Sequence, residues 1–169
     1  MNQSVILIGP PGSGKSATAR LLSQQLGLRA IDTDTEVVSR AGMPIDRIFA
    51  TSGEAHFRQL ETEVVQELVS GCKDSREALV VSCGGGLPVK EQNYLLLESV
   101  GHIVCLYAQV DVLTERVLSG ETRPLLQSDS PAATRARLSS LLKQRSTTYS
   151  RPRYRIDTTE LSPSEVCQQ

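Results

Sequence analysis

Residues 9–16 read Gly9-Pro10-Pro11-Gly12-Ser13-Gly14-Lys15-Ser16, and they follow directly on the apolar run Val5-Ile6-Leu7-Ile8. The eight residues fit G-x-x-x-x-G-K-[ST], the pattern of a phosphate-binding loop, and a preceding strand is the setting that pattern requires. The strand delivers the chain to a turn where Gly9, Gly12 and Gly14 can take backbone angles that a Cβ forbids, so that successive N–H groups point inward at phosphate oxygens. Lys15 supplies a cation for the outer phosphates and Ser16 a hydroxyl for Mg²⁺. Beyond the loop, residues 17–26 place Ala19, Leu21, Leu22 and Leu26 at helical spacing, which turns the positive end of a helix dipole toward the same anion. A chance glycine-rich turn would lack this order. The segment implies a strand, a loop and a helix built around a nucleoside triphosphate.

The 169 residues fit one domain, residues 1–169, long enough to bury about 70% of the unfolded surface. Cys72, Cys83, Cys105 and Cys167 form no C-x-x-C pair, and Cys83 and Cys105 sit in apolar runs, so reduced core thiols are expected rather than a disulfide framework or a zinc site. No apolar stretch approaches the length of a membrane-spanning helix, and Met1-Asn2-Gln3-Ser4 lacks the basic and apolar regions of a signal peptide. A soluble, cytoplasmic protein is expected. The net charge of −1 gives no general attraction to nucleic acid or membrane. Residues 116–155 nevertheless hold nine Lys or Arg against Glu121 and Asp129 alone. Without interleaved aromatic platforms, such a cluster suits closure over a nucleotide and an anionic substrate better than a nucleic-acid strand; a solvated basic helix carrying Arg135, Arg137 and Lys143 is the plainer reading.

Apolar runs recur at residues 5–8, 30–31, 78–81, 103–107 and 154–156, with helical patterns between them. This alternation predicts an α/β layer fold with a parallel sheet whose ligands gather at the carboxyl ends of the strands. Residues 35–49 read as one or two short helices broken at Gly42 and Pro44. Gly53-Glu54 opens a helix with Phe57, Leu60, Val64, Val65 and Leu68 on one stripe. Residues 110–118 form another helix, residues 119–130 lose periodicity and read as a mobile loop, and residues 132–149 form a long helix with Leu138, Leu141 and Leu142 inward.

Asp32-Thr33-Asp34 stands at the strand-to-helix turn after the second run. One carboxylate could organise Mg²⁺ and the other accept a hydroxyl proton, although Asp34 could equally cap the helix that follows. The third run passes into Ser82-Cys83-Gly84 without the metal-organising Asp found at that place in many phosphate-loop enzymes, and Asp32 is the natural substitute. Arg58 lies four residues after Glu54, which alone describes an exposed i, i+4 ion pair. Gly84-Gly85-Gly86 is either a flexible turn or a backbone surface kept clear for a small polar substrate. Arg123, in the loop before Pro124, could serve a developing phosphoryl charge. Arg145 has a basic neighbourhood and no specificity of its own, and His56 and His102 are isolated.

Taken together, residues 9–16, Asp32-Thr33-Asp34, Ile48-Phe49, Gly53-Glu54 through Phe57-Arg58 to Glu61, Gly84-Gly85-Gly86, Arg123-Pro124-Leu125-Leu126 and Arg145 with Tyr149 resemble shikimate kinase in order and spacing over almost the whole chain. The resemblance implies a three-layer α/β/α fold of the nucleoside-monophosphate-kinase-like group, with a five-stranded parallel sheet, a lid at 119–130 and a substrate-binding region at 33–61. It implies ATP-dependent phosphorylation of the 3-hydroxyl of shikimate, with Mg²⁺, without a covalent enzyme intermediate, in a monomer that engages neither nucleic acid nor membrane. Asp34 would orient and deprotonate the acceptor hydroxyl; Arg58 and Arg145 would grip the substrate carboxylate; Gly84, Gly85 and Gly86 would line the ring. Gly12, Ser13, Gly14, Lys15, Ser16, Ala17, Arg116 and Arg123 would hold the nucleotide, with Lys15 and Arg123 stabilising the transferring phosphoryl and Ser16 and Asp32 organising the metal. A bidentate guanidinium suits a planar carboxylate, so two arginines select an acid over a neutral polyol. Residues 150–155 depart from the family pattern in being more basic and Pro-containing. A gluconate-type kinase and a catalytically silent nucleotide-binding homologue are the alternatives.

Overall fold

Each of the five apolar runs becomes a strand: β1 (Ser4–Ile8), β2 (Arg29–Asp32), β3 (Leu79–Ser82), β4 (Gly101–Tyr107) and β5 (Tyr154–Asp157). The computed structural model describes residues 3–75, 77–120 and 130–169. The strands pair in parallel in the order β2-β3-β1-β4-β5. Parallel pairing needs a crossover between neighbours and buries both faces of the sheet, which is why β1 and β3 are apolar on both sides. Ile6 and Ile8 of β1 face a cluster with Val81, Cys83 and Cys105 that is covered by Val65, Tyr94, Leu97 and Tyr149. Leu7 faces the other way, with Val80, Leu106, Ala19 and Val166. Helices therefore cover both faces, in the expected three layers.

The helices are α1 (Lys15–Leu26), α2 (Thr33–Ala41), α3 (Ile45–Ser75), α4 (Glu91–Glu98), α5 (Val110–Ser119), α6 (Pro131–Gln144), α7 (Ser146–Ser150) and α8 (Pro163–Val166), with a 3-10 turn at Leu87–Val89. The break at Gly42 is real, and its φ of 65° closes α2. Gly53 (φ 77°, ψ 173°) interrupts α3 where a helix start was expected. The stripe after it packs as predicted: Phe57, Leu60 and Val64 join Val37 and Ile48 in a separate small core between α2 and α3.

Two elements differ from the sequence expectation. Residues 132–149 form two helices rather than one, because Arg145 adopts φ −103° and ψ 8° and stops the helical ladder of α6. Its carbonyl still accepts from Tyr149 N at 3.0 Å, so α7 restarts at once, with Tyr149 buried. Helix α4 was not foreseen: its apolar residues Tyr94, Leu95, Leu96 and Leu97 are consecutive, and without a helical period they give no signal.

In this layout, β1 stands between β3 and β4, and the loop after β1 opens where crossovers leave to opposite sides. Open parallel sheets bind ligands at this switch point. Register places Asp32 of β2 beside Ser82 of β3, and Ser82 beside Leu7 of β1. The carboxyl ends of three strands thus meet at the phosphate loop.

Candidate active site

The phosphate loop is held by its glycines. Gly9 has φ 142°, and a Cβ there would collide with the carbonyl oxygen of Leu106 on β4. Ser13 Oγ donates to Pro10 O at 2.8 Å and Lys15 Nζ donates to the same carbonyl at 2.8 Å, which arches the buried lysine over the loop. A cavity of about 470 Å³ lies against residues 12–18, with Arg116, Thr158, Leu161 and Val166 on its far walls. Ala17 and Arg116 both line this cavity. Arg116 donates from Nη2 to Thr158 O at 2.7 Å and from Nη1 to Thr158 Oγ1 at 3.2 Å. Buried Thr158 in turn donates from its N–H to Tyr107 O at 2.7 Å, and its hydroxyl can donate its one proton to Ser13 O at 3.3 Å. It ties the loop after β5 to the phosphate loop, a role that no sequence motif marks.

The two aspartates divide their work. Ser16 Oγ donates to Asp32 Oδ2 at 2.7 Å and lies 3.2 Å from Ser82 Oγ. Asp32 Oδ1 accepts from the N–H groups of Asp34 at 3.1 Å and Thr35 at 3.4 Å, so Asp32 is the cap of α2 and Asp34 is not. That leaves the Asp34 carboxylate to face the triple glycine. The Ser16 hydroxyl, Asp32 carboxylate and Ser82 hydroxyl are hard oxygen donors of the kind Mg²⁺ takes. Among the described residues, no group of three His, Cys, Asp or Glu side chains could hold a metal. This donor set therefore fits an Mg²⁺ that takes most of its shell from phosphate and water. Ser82 was not singled out in the sequence, since a lone serine in an apolar run reads as filler.

Asp34, Arg58 and Arg145 converge on Gly84-Gly85-Gly86, one glycine each. A Cβ on Gly84 would overlap Asp34 Oδ1 and stand 3.2 Å from its Cγ; on Gly85 it would stand 3.2 Å from Arg145 Nη1; on Gly86, 2.5 Å from Arg58 Nη1. A side chain at any of the three glycines would displace or crowd one of these groups, and the triplet is a shelf rather than a loose turn. Buried Thr33 accepts from Gly84 N at 2.8 Å, and Tyr149 Oη donates to Gly85 O at 2.7 Å.

Arg58 keeps the i, i+4 partner read from the sequence, with Nη2 donating to Glu54 at 3.0 Å, and gains a second, with Nη1 donating to Glu61 at 2.8 Å. Glu61 is 2% exposed. Burial pushes its carboxyl up to about 7, with the Arg58 guanidinium pulling the other way and the Asp34 carboxylate adding to the rise. Burial works against the Arg58 charge, yet the Glu61 and Glu54 carboxylates hold its pKa above the usual value. Burial also raises the Cys83 thiol, directly below this site, so it stays protonated. The basic segment at 150–155 serves packing: Arg151 stacks over Tyr94 at 3.8 Å and donates to Glu91 at 2.7 Å. Arg123 and the greater part of the expected lid at 119–130 lie outside the described residues.

This arrangement has known counterparts. The family model for shikimate kinase matches residues 11–169. The chain belongs to the shikimate kinase family. A shikimate kinase of Geobacter metallireducens is 38% identical over 164 residues, covering 97% of this chain and 87% of that relative. A solved structure of the family, shikimate kinase from Acinetobacter baumannii in complex with shikimate, superposes with a TM-score of 0.88 at 34% identity, over 99% of this chain and 90% of its own. A gluconokinase from Sinorhizobium meliloti shares the fold alone, at 21% identity and a TM-score of 0.57 over 98% of this chain and 87% of its own. For that gluconokinase, the likeness stops at the scaffold.

Proposed function

We propose that this chain transfers the γ-phosphoryl group of ATP to the 3-hydroxyl of shikimate, giving shikimate 3-phosphate and ADP. The observation that carries the reading is the convergence of one carboxylate and two guanidinium groups on a glycine shelf beside a phosphate loop. Arg58 and Arg145 hold the substrate carboxylate, and the flat backbone of Gly84, Gly85 and Gly86 takes the ring. Asp34 then faces the reacting hydroxyl and accepts its proton as the oxygen attacks phosphorus in line. The bond from phosphorus to the bridging oxygen of ADP breaks in the same displacement. Positioning and charge stabilisation supply most of the rate in such a transfer.

Lys15, with Arg123 from the 119–130 lid, neutralises the transferring group, and residues 12–17 with Arg116 hold the nucleotide. Ser16 and Asp32 would hold Mg²⁺, which would supply positive charge against the charge that develops on the phosphate oxygens. We read residues 1–169 as one kinase domain, with 33–61 as the substrate-binding region, acting as a monomer in the cytoplasm; among the described residues no helix is long and apolar enough to cross a membrane. ADP release measured with a panel of hydroxy acids tests the reading. Turnover of shikimate and not of gluconate is expected, and the reverse preference would overturn it.

A further inference from the structure

The three shelf carbonyls are not held alike. Those of Gly84 and Gly86 are taken by the N–H groups of Leu87 and Val89, at 3.0 and 3.2 Å, within the turn that follows. The carbonyl of Gly85 is taken from outside, by the phenol of Tyr149 at 2.7 Å. The Arg145 guanidinium lies at the same place: both groups crowd the position where a Cβ of Gly85 would stand, Arg145 Nη1 at 3.2 Å and Tyr149 Oη at 3.4 Å. Tyr149 is 6% exposed, so its ring is locked by packing against the sheet. Arg145 and Tyr149 are four positions apart and joined by the bond from Tyr149 N to Arg145 O at 3.0 Å, a spacing that sets both side chains on one face.

We infer that Tyr149 is a positioning residue for the acceptor carboxylate. Its hydroxyl links the Arg145 guanidinium to the carbonyl of Gly85, and so fixes the cation and the shelf in one geometry. Arg145 is a long side chain on a helix junction with several open rotamers, and a carboxylate gains most from a guanidinium already aimed at it. The phenol has one proton, which goes to Gly85 O, so its lone pairs face the neighbouring Arg145 as acceptors. The inference rests on the shikimate reading above and adds a specificity element that touches neither nucleotide nor reacting hydroxyl.

Tyr149→Phe removes the hydroxyl and keeps the packed ring. In steady-state kinetics we expect KM for shikimate to rise about five- to tenfold, the usual size of one lost hydrogen bond, with KM for ATP within about twofold of the parent. The effect should vanish in an Arg145→Met background, since Tyr149 acts through Arg145. An unchanged KM for shikimate would overturn the inference, as would an equal loss in the Arg145→Met background, or a parallel rise in both KM values with a lowered melting temperature. If the parent protein itself fails to turn over shikimate, the functional reading falls and takes this inference with it. A parent that turns it over alongside an unaffected Tyr149→Phe removes the inference alone.

Discussion

Gly84→Ala tests the shelf where its tolerance is smallest. Gly84 is not among the glycines with positive φ, so alanine suits its backbone and removes freedom from the unfolded chain worth about 0.4–1 kcal/mol. The added methyl meets the Asp34 carboxylate, which must retreat by about 1 Å to reach ordinary contact. A carboxylate on a short side chain can make that move at little cost to the fold. The catalytic geometry cannot absorb it, because a misplacement of about 1 Å costs on the order of a hundredfold in rate. The expected outcome is a melting temperature within about 4 °C of the parent, kcat with shikimate lowered by about two orders of magnitude, and an unchanged KM for ATP. A coupled ADP assay with a parallel thermal melt measures all three. A soluble, stable Gly84→Ala protein with kcat within about threefold of the parent would refute the claim that Asp34 is held by this contact for proton transfer.

Asp34→Asn keeps the shape and removes the charge and the base, so nucleotide binding should persist while turnover falls by about 10²–10⁴-fold; near-normal kcat would reject the proton-acceptor role. Glu61 carries a pH prediction for stability. Burial holds its carboxyl at about 7 against an ordinary 4.5, so between those values the native protein keeps a proton that the unfolded chain has released. Stability from this group is complete below the lower value and is lost as pH rises through the higher one. Glu61→Gln has no such titration, so the stability of the parent relative to the variant, from denaturant midpoints, should fall as pH rises from 4.5 to about 7. A constant difference across that window would contradict the burial argument.

The sequence was most legible where geometry is local. The phosphate loop lies within eight consecutive residues and follows its strand directly, so the motif alone locates the nucleotide site. The five strands were visible because parallel strands buried on both faces leave continuous apolar runs. The acceptor side was legible only through family resemblance. Taken singly, Arg58 read as one half of a surface pair with Glu54, and that pair exists; the fold adds buried Glu61 on the next turn and Gly86 from 28 positions away. Ser82 and Thr33 gave no signal because a hydroxyl in or beside a strand is unremarkable until a neighbouring strand brings it a partner. The kink at Arg145 was hidden for a different reason: neither glycine nor proline marks it, and the α6 ladder ends through the backbone angles of a single residue. The expectation that Asp34 caps the helix missed by two residues of register, since α2 begins at Thr33 rather than Thr35.

The central claim is that the carboxylate and guanidinium groups on the glycine shelf select shikimate as the phosphoryl acceptor. It is tested most directly by incubating the protein with ATP, Mg²⁺ and an equimolar mixture of shikimate and gluconate, and following the products by phosphorus NMR. Shikimate 3-phosphate should form in step with ADP, with no phosphorylated gluconate. Phosphorylated gluconate as the main product, or ADP and inorganic phosphate without a phosphorylated acid, would contradict it.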